Sequence, residues 1–367
     1  MKKIPWWQPQ FGKKEVTLLK SVLQSAFPNE GKLTTEFENN IGEHLGVKHV
    51  LAVTSATAAM FLSLKSAGIG YGDEVIVPDI TFIATANAVE MTGAKAILVD
   101  VDPLTLTIDI NCFERAITDK TKAVIPVHIS GRAADMHEVS KIAKRKKLLV
   151  VEDAAEAFMS KYKGKYLGTF GDMGCFSLSP AKTISTGQGG LIVTNDDNLY
   201  LKLKMLKDQG RPVRGTGGND IHPALGFNFK FTDLQAAVGL GQLVYLEKRI
   251  QRMRKNHRIY KKLLSQLKEV SVLPFKVDAG ELPQWTDVLT ERRDDLVAFL
   301  KKKNIGSRNF WYPIHSQAYY KLSDEHFPIS SALSPKALWL PSAFTLSDND
   351  IVNVCKLIKT FFSDETS

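Results

Sequence analysis

Between residues 48 and 194, short apolar runs alternate with stretches that have the length and composition of helices. The apolar runs cover residues 49–53, 74–78, 94–100, 123–127, 148–151 and 190–194, and the helical stretches cover residues 56–67, 83–92, 111–117 and 134–146. Strand-like runs that are apolar on both faces and alternate with helices are typical of a mostly parallel sheet covered on both sides. The pattern therefore predicts an α/β fold whose main domain has three layers around a mostly parallel sheet.

The remaining chain predicts a second, smaller domain. Residues 232–267 form a long helical region, Ala-rich at first and strongly basic later, with a change of composition near Glu247. Residues 270–273, 284–290, 292–303 and 351–362 have the pattern of a small α+β unit, and Leu340-Pro341 is expected to begin a link into the last helix. We expect a large domain over residues 1–245 and a small domain over residues 246–367, with roughly the first 15 residues packing on the small domain.

Composition and charge limit the possible partners. The chain has 367 residues, is 44% apolar and 24% charged, and carries a formal net charge of +9, which attracts anions in general. Its basic residues concentrate at 144–147 and 248–268 without interleaved aromatic residues, so solvated helix faces are favoured over a nucleic-acid site. No apolar run is long enough to span a bilayer, and the N-terminus lacks the apolar region of a secretion signal. We expect no nucleic-acid or membrane partner.

The cysteines indicate the compartment. Cys112, Cys175 and Cys355 are widely separated, odd in number and without the spacing of metal ligands. This usage fits a reducing compartment with thiols buried as small apolar groups. We therefore expect a cytoplasmic protein without a metal site.

A single lysine stands out in residues 177–190, where hydroxyl residues and a proline precede Lys182 and a glycine cluster follows it. A lysine held between buried strands can act as a nucleophilic amine and form a Schiff base, provided that burial and its neighbours lower its pKa. The alternative is a surface lysine before a Gly-rich turn. The segment alone leaves both open.

Two further candidates follow predicted strands, where open α/β sheets bind their ligands. Ser55-Ala56-Thr57 offers hydroxyl groups and unpaired backbone N–H groups at a helix start, which is either a phosphate site or an ordinary helix cap. Asp153 follows the run 148–151, and a buried carboxylate there must be paired, either by capping a helix or by holding a proton on a ligand's ring nitrogen.

Taken together, these candidates indicate a pyridoxal phosphate site. Ser55, Ala56, Thr57 and Ser177 would anchor a phosphate, Asp153 would keep a pyridine nitrogen protonated, and Lys182 would supply the amine. Pyridoxal 5'-phosphate (PLP) needs these three functions, and its protonated ring acts as an electron sink. The combination is far more specific than any of its parts.

The chain resembles the sugar aminotransferases of the DegT/DnrJ/EryC1/StrS family, which belong to the fold-type I PLP enzymes. The segments that carry the resemblance are 55–60, 77–87, 127–136, 152–155, the Lys182 segment, 226–237 and 312–315. The resemblance implies that Lys182 forms the Schiff base and shuttles the proton, that Asp153 pairs with the pyridine nitrogen and that Phe82 stacks on the ring. It also implies phosphate contacts from Ala56, Thr57 and Ser177.

The resemblance further implies a homodimer with shared active sites, because Asn228 matches an asparagine that reaches the phosphate from the neighbouring subunit.

Two positions depart from the family pattern. Glu156 stands near the cofactor where many relatives have Gln or His, and it either alters the cofactor's electronics or points away; Ser179 replaces a histidine or an aromatic residue. Dehydratases that resemble the family carry histidine at the lysine position, so Lys182 favours amino transfer.

The expected reaction moves an amino group from an amino acid, with glutamate as the expected donor, to a ketone carbon of a nucleotide-linked keto-sugar. Candidate substrate-binding residues are Arg211, Lys230, Tyr312 and His315. Arg214 and the polar segment 210–219 are expected either to close over a large ligand or to form a mobile surface loop.

Three alternatives remain. One is an aminotransferase for a smaller phosphorylated ketone, which the same positive charge would attract. A second is a non-catalytic PLP-binding regulator, for which no segment of the size of an output module is found. The third, a dinucleotide-binding dehydrogenase, lacks a G-x-G-x-x-G turn after the first strand.

Overall fold

The computed structural model describes residues 2–212 and 221–363. A seven-stranded sheet forms its centre, with strand order β1-β9-β8-β5-β4-β2-β3. The strands in this part of the chain are β1 (His49–Val53), β2 (Glu74–Pro78), β3 (Lys95–Val99), β4 (Thr121–Val124), β5 (Leu149–Asp153), the hairpin strands β6 (Lys161–Tyr162) and β7 (Lys165–Tyr166), β8 (Met173–Ser177) and β9 (Gly190–Thr194). β9 runs antiparallel to its two neighbours, β1 and β8, and the other pairs of the seven-stranded sheet are parallel. The predicted α/β fold with a mostly parallel sheet is confirmed.

Helices cover both faces of this sheet. They are α1 (Lys13–Gln24), α2 (Lys32–Leu45), α3 (Ala56–Ser66), α4 (Ala84–Glu90), α5 (Ile110–Arg115), α6 (Met136–Lys146), α7 (Asp197–Lys207) and α8 (Asp233–Leu243). Neighbouring residues of a strand enter opposite cores: in β1, Val50 belongs to the core that contains residues of α2, α6 and α8, whereas Leu51 belongs to the core that contains residues of α3 and α4. This two-residue period explains why the predicted strands are apolar on both faces.

A second, four-stranded antiparallel sheet follows in the chain, with strand order β10-β11-β13-β12. Its strands are β10 (Ser271–Val272), β11 (Thr286–Leu289), β12 (Arg308–Asn309) and β13 (Ala337–Leu340), accompanied by α9 (Leu246–Leu264), α10 (Arg293–Lys302), α11 (Pro328–Leu333) and α12 (Asp348–Ser363). Ile4 pairs with Ile305 and lies in the core formed by α9, α10 and α12. The division of the chain at residue 245 stays a prediction.

Several local expectations are wrong. The run 123–127 ends as a strand at Val124, because Pro126 has no N–H to donate. The helical region 232–267 consists of two helices that break at Val244–Tyr245, close to the composition change. Leu340 ends strand β13 instead of beginning a link, and both β8 and α7 were not predicted.

Candidate active site

A cavity of about 290 Å³ opens at the carboxyl ends of β1, β2, β5 and β8. Its lining includes eight of the residues predicted from the sequence: Ser55, Ala56, Thr57, Phe82, Asp153, Glu156, Ser177 and Lys182. These residues are far apart in the chain and meet because parallel strands end at the same edge of the sheet. Ser179, the second departure from the family pattern, also lines the cavity.

Lys182 is buried, with 12% of its side chain exposed. Its Nζ lies 3.5 Å from Oε1 of Glu156 and 4.7 Å from the centre of the Trp285 ring. Burial lowers the pKa of Lys182, while the carboxylates of Glu156 and Asp153 partly offset that effect. The surface-lysine alternative is therefore wrong, and the amine has the environment that a nucleophilic lysine needs.

Contacts from distant parts of the chain hold the loop that carries Lys182. The side-chain amide of Gln284, just before β11, donates to the carbonyl oxygen of Ala181 (3.0 Å) and accepts from the Thr183 hydroxyl. These two bonds lie on either side of Lys182, so the backbone at the lysine depends on a residue about 100 positions away.

Two more donors act on the same loop. Arg249 of α9 donates to the Thr183 carbonyl oxygen (2.8 Å), and the indole N–H of Trp7 donates to the Pro180 carbonyl oxygen (2.8 Å). Arg249 is buried, and burial lowers its pKa to about 10. The lysine loop is thus anchored from the N-terminal segment, from α9 and from the second sheet.

Asp153 ends β5 and is 5% exposed. Thr85 Oγ1 donates to Oδ2 (2.7 Å), and the backbone N–H of Ala155 donates to Oδ1 (3.1 Å). Burial raises the pKa of Asp153, with the two hydrogen bonds and the charge of Lys182 acting against it. A carboxyl group in this setting gains from a cationic partner, as a protonated ring nitrogen would provide.

Glu156 points toward the lysine and not away from it. Its Oε2 accepts from the backbone N–H of Ser130 (2.7 Å), and its other oxygen faces Lys182. Ser130 adopts a left-handed backbone with φ of 54°. Burial raises the pKa of Glu156, and Lys182 partly offsets it. The two groups form a coupled acid–base pair at the centre of the cavity.

The helix start at Ser55 is both a cap and a candidate anion site. Ser55 Oγ accepts from the N–H of Ala58 (3.1 Å), as a helix cap does. The N–H groups of Ala56 and Thr57, in the first turn of α3, have no partner inside the helix and line the cavity. Gly190 permits this arrangement, because a Cβ there would lie 2.3 Å from the carbonyl carbon of Ser55.

Aromatic residues complete the cavity. Phe82 is 51% exposed, and its ring centre lies 5.0 Å from that of Trp311. A half-exposed ring in a cavity has a face available for stacking. Trp285, Trp311 and Arg308 line the same cavity, and sequence analysis did not find them. The only available signal was that Arg308 and Trp311 stand just before the motif 312–315, and no local pattern connects that motif to the lysine.

Three predicted residues lie outside this cavity. Asn228 is exposed and forms a backbone bridge with Asp208, and Lys230 Nζ lies 2.8 Å from Oδ1 of the same aspartate. Arg211 lines a different cavity of about 730 Å³. These three residues therefore do not reach the cavity of their own chain, and their roles stay predictions. Arg214 and residues 213–219 of the predicted loop lie outside the described residues.

The two C-terminal substrate candidates also lie outside the cavity. Tyr312 is 63% exposed and does not line it. His315 has no exposed surface, and its Nδ1 and Nε2 bond to Asp79 (2.6 Å) and Asp324 (2.8 Å). Burial lowers the pKa of His315, but these carboxylates outweigh that effect and raise it overall. Substrate contact by His315 is a wrong prediction, because both ring nitrogens already hold the fold together.

The donor set of the cavity fits PLP. The start of α3 presents free N–H groups to a phosphate, Asp153 offers a carboxylate to a ring nitrogen, Phe82 offers an open ring face, and Lys182 offers a buried amine. Amino transfer with PLP is the chemistry for which this fold and this cavity are suited, and the chain is a PLP-dependent aminotransferase.

Comparison with known proteins narrows the class to a family. A sequence model of the DegT/DnrJ/EryC1/StrS aminotransferase family matches residues 9–359, and the chain belongs to that family. It is 39% identical over 369 residues to GDP-perosamine synthase from Escherichia coli O157:H7, covering 100% of both chains. The resemblance predicted from the motifs is confirmed.

Solved structures agree with the fold. A DegT DnrJ EryC1 StrS aminotransferase from Brucella abortus superimposes with a TM-score of 0.89 at 32% identity, covering 95% of each chain. The PLP form of the sugar aminotransferase Spr1654 from Streptococcus pneumoniae, whose function is assigned provisionally, superimposes with a TM-score of 0.92 at 25% identity, covering 98% of each chain.

Over residues 2–212 and 221–363, no helix has the length and apolar composition needed to cross a membrane. The same residues contain no group of three or more His, Cys, Asp or Glu side chains placed to hold a metal ion. The cytoplasmic location stays a prediction.

Proposed function

We propose that this aminotransferase moves an amino group from an α-amino acid, glutamate being the first candidate, to a ketone carbon of a nucleotide-linked keto-sugar. The observation that carries the proposal is the buried amine of Lys182, which lies 3.5 Å from Glu156 and shares its cavity with Asp153. The full-length similarity to a GDP-perosamine synthase supports a nucleotide-sugar acceptor.

Different cavity residues would hold different parts of the cofactor. The N–H groups of Ala56 and Thr57 and the hydroxyl of Ser177 would bind the phosphate, Asp153 would hold the ring nitrogen, and Phe82 would cover the ring. When bound, PLP acts as an electron sink and carries the amino group between donor and acceptor. Asp153 is held for its role by the Thr85 hydroxyl and the Ala155 N–H.

Lys182 has two tasks. Burial lowers the pKa of its amine, so Nζ is a nucleophile closer to neutral pH than an exposed lysine is. With a substrate in the cavity, Nζ would also be placed to accept a proton from one carbon and return it to another. Glu156, at 3.5 Å, is placed to hold that proton on Nζ between the two transfers.

The size of the cavity bears on the acceptor. About 290 Å³ is at the small end of ligand pockets, which range from roughly 300 to 1,000 Å³. The cavity would therefore hold the cofactor and the reacting end of the acceptor, and the nucleotide would lie beyond the mouth. A smaller phosphorylated ketone would not contact the surface beyond the mouth. The protein should therefore differ in its affinity for the two kinds of acceptor.

We further propose that a second copy of the chain completes each site. Asn228, Lys230 and Arg211 lie outside their own chain's cavity, whereas the family resemblance places the asparagine on a neighbouring subunit's phosphate. In a mixture of Lys182→Ala and Asn228→Ala chains, hybrid dimers would contain one intact site. Recovery of activity on mixing, together with a dimer in sedimentation, is expected; two inactive variants that never complement each other would contradict shared sites.

Loading the protein with PLP and adding L-glutamate tests the central proposal. We expect a visible absorption band on loading and its loss on adding the donor, and then its return when a keto-sugar nucleotide is supplied. Lys182→Ala should bind PLP without that covalent band and should not turn over. The proposal fails if the wild-type protein forms no band, or if smaller phosphorylated ketones restore the band more efficiently than nucleotide-linked ones do.

A further inference from the structure

Gln284 is hydrogen-bonded to the neighbours of both Lys182 and Glu156. It lies just before β11 and is 2% exposed. Its backbone N–H donates to the carbonyl oxygen of Ser130 (2.9 Å), and the N–H of Ser130 in turn donates to Oε2 of Glu156 (2.7 Å). Its side chain bonds to the residues on either side of Lys182. One residue therefore links the segment that holds Glu156 to the loop that carries Lys182.

The chemistry of its two partners fixes the orientation of the Gln284 amide. A backbone carbonyl oxygen can only accept a hydrogen bond, so the amide nitrogen must face Ala181, at 3.0 Å. The amide oxygen then faces Thr183, whose hydroxyl donates to it. Gln284 and Thr183 are both buried, and the low local dielectric strengthens their hydrogen bond. Because one bond needs a donor and the other an acceptor, the position requires a primary amide.

These bonds leave the backbone at Lys182 little freedom. The carbonyl oxygen of Ala181 belongs to the same peptide group as the N–H of Lys182, and that N–H donates to the carbonyl oxygen of Ser179 (3.1 Å). The flexible part is the four-carbon side chain, whose Nζ lies 3.5 Å from Oε1 of Glu156. The separation of the amine from the carboxylate thus depends on where the loop places the backbone of the lysine.

That separation affects the reactivity of the amine. Burial lowers the pKa of Lys182, and the charge of Glu156 acts against this effect. Because the attraction between two charges falls with the inverse of their distance, moving Nζ about 1 Å away would lower the pKa of Lys182 by about half to one unit. A displacement of the same size would also aim the amine away from a bound carbonyl group.

Building on the proposed amino transfer, we propose that Gln284 is a positioning residue that holds Lys182 at its working distance from Glu156. The backbone N–H of Gln284 fixes the Glu156 side of the pair, and its side-chain amide fixes the Lys182 side. Gln284 bonds to neither reacting group and acts through the residues that it orients. The position of the reactive amine is thereby set from the segment that leads into the second sheet.

Gln284→Met tests this role, because methionine has a similar length and no amide group. The backbone N–H that bonds to Ser130 is kept, so only the lysine side of the pair is released. Cofactor-free protein is treated with acetic anhydride between pH 6 and 10, and acetylation of Lys182 is followed by peptide mass spectrometry. Since only the unprotonated amine reacts, we expect the midpoint of the profile to lie about half to one pH unit lower in Gln284→Met than in the wild-type protein.

Covalent capture of PLP is the second measurement. The plateau rate at which the visible band appears should fall about 10- to 100-fold in Gln284→Met, because the amine is no longer held in its productive position. Gln251→Met is the matched control, since Gln251 is exposed and bonds to Glu247, one turn earlier in α9. In Gln251→Met both measurements should stay at their wild-type values.

Thr183→Val is a milder variant that removes one of the two side-chain bonds. It should shift the acetylation midpoint in the same direction by a smaller amount, and this shift decides the question if Gln284→Met does not fold. The double variant should match Gln284→Met, because both substitutions break the same bond. A double variant whose shift equals the sum of the two single shifts would overturn the proposal.

Unchanged profiles in Gln284→Met and Thr183→Val would also overturn the proposal, even if both variants unfold at lower urea concentrations than the wild-type protein. Gln284 would then only stabilise the fold. If the wild-type protein captures no PLP, the proposed amino transfer fails. The acetylation profile needs no cofactor, so it still decides whether Gln284 sets the reactivity of Lys182.

Discussion

Removing the charge of Glu156 should change the reactivity of Lys182 more directly than any other single substitution. Glutamine at this position keeps the size of the side chain, and its amide oxygen can still accept the N–H of Ser130. The backbone around the pair is therefore preserved while the negative charge 3.5 Å from the amine is lost. We expect the pKa of Lys182 to fall further in Glu156→Gln.

The distance sets the size of the effect. Two unit charges 3.5 Å apart interact with about 5 kcal/mol at an effective dielectric constant of about 20, which corresponds to about 3.5 pKa units. Burial pushes both groups toward their neutral forms, raising the pKa of Glu156 and lowering that of Lys182. The pair is thus ionised for only part of the time, and we expect a fall of about one to three units.

The rate of PLP binding to the cofactor-free protein reports this pKa, because only the unprotonated amine reacts. Measured by the appearance of the visible band between pH 6 and 10, the rate should reach its plateau at lower pH in Glu156→Gln than in the wild-type protein. Glu156→Asp, which keeps the charge, is the control and should stay close to wild type. An unchanged profile in Glu156→Gln, or a shift to higher pH, would refute the electrostatic coupling.

Two further predictions concern stability, measured by urea unfolding. His257 is buried without a hydrogen-bond partner for either ring nitrogen among the described residues, and burial lowers its pKa from 6.5 to about 4. The contribution of His257 to the free energy of unfolding should therefore be complete above pH 6.5 and fall by about 3 kcal/mol toward pH 4. His257→Phe should abolish this loss, and an equal pH dependence of the free energy of unfolding in both proteins would contradict the prediction. Gly131→Ala should cost about 3 kcal/mol or more, because φ is 93° and the Cβ would lie 2.0 Å from the Leu282 carbonyl oxygen. Gly164→Ala, with φ of 83° and no neighbour within 4 Å, should cost only about 1 kcal/mol, and equal costs at both glycines would show that the close approach is not limiting.

The sequence predicts the main sheet well because its strands are buried on both faces. Strand β8 was not predicted, because Gly174 and Cys175 weaken its apolar pattern. That glycine is required by packing, as a Cβ would lie 1.9 Å from the carbonyl oxygen of Gly168. Strand β13 is only four residues long, and its structure depends on pairing with β11 and β12, which no local pattern records.

The same distinction separates the site residues that the sequence predicts from those that it does not. Residues at or just beyond strand ends, such as Asp153 and Ser55, could be predicted because sheet topology gathers strand ends at one edge. Arg308 and Trp285 could not be predicted, since Arg308 lies on β12, Trp285 lies just before β11, and both reach the cavity only through tertiary packing. The motif that contains His315 was recognised, but its burial against Asp79 depends on a contact that spans 236 positions.

The anchoring of the lysine loop has a consequence for how the protein matures. Gln284, Arg249 and Trp7 reach the backbone on either side of Lys182 from three separate regions of the chain. Contacts between residues so distant in sequence require the chain to close large loops, which costs entropy and slows folding. The reactive amine should therefore acquire its geometry only after the second sheet has docked. In a refolding experiment, covalent binding of PLP would then be slower than helix formation, and its rate would report the final step of folding.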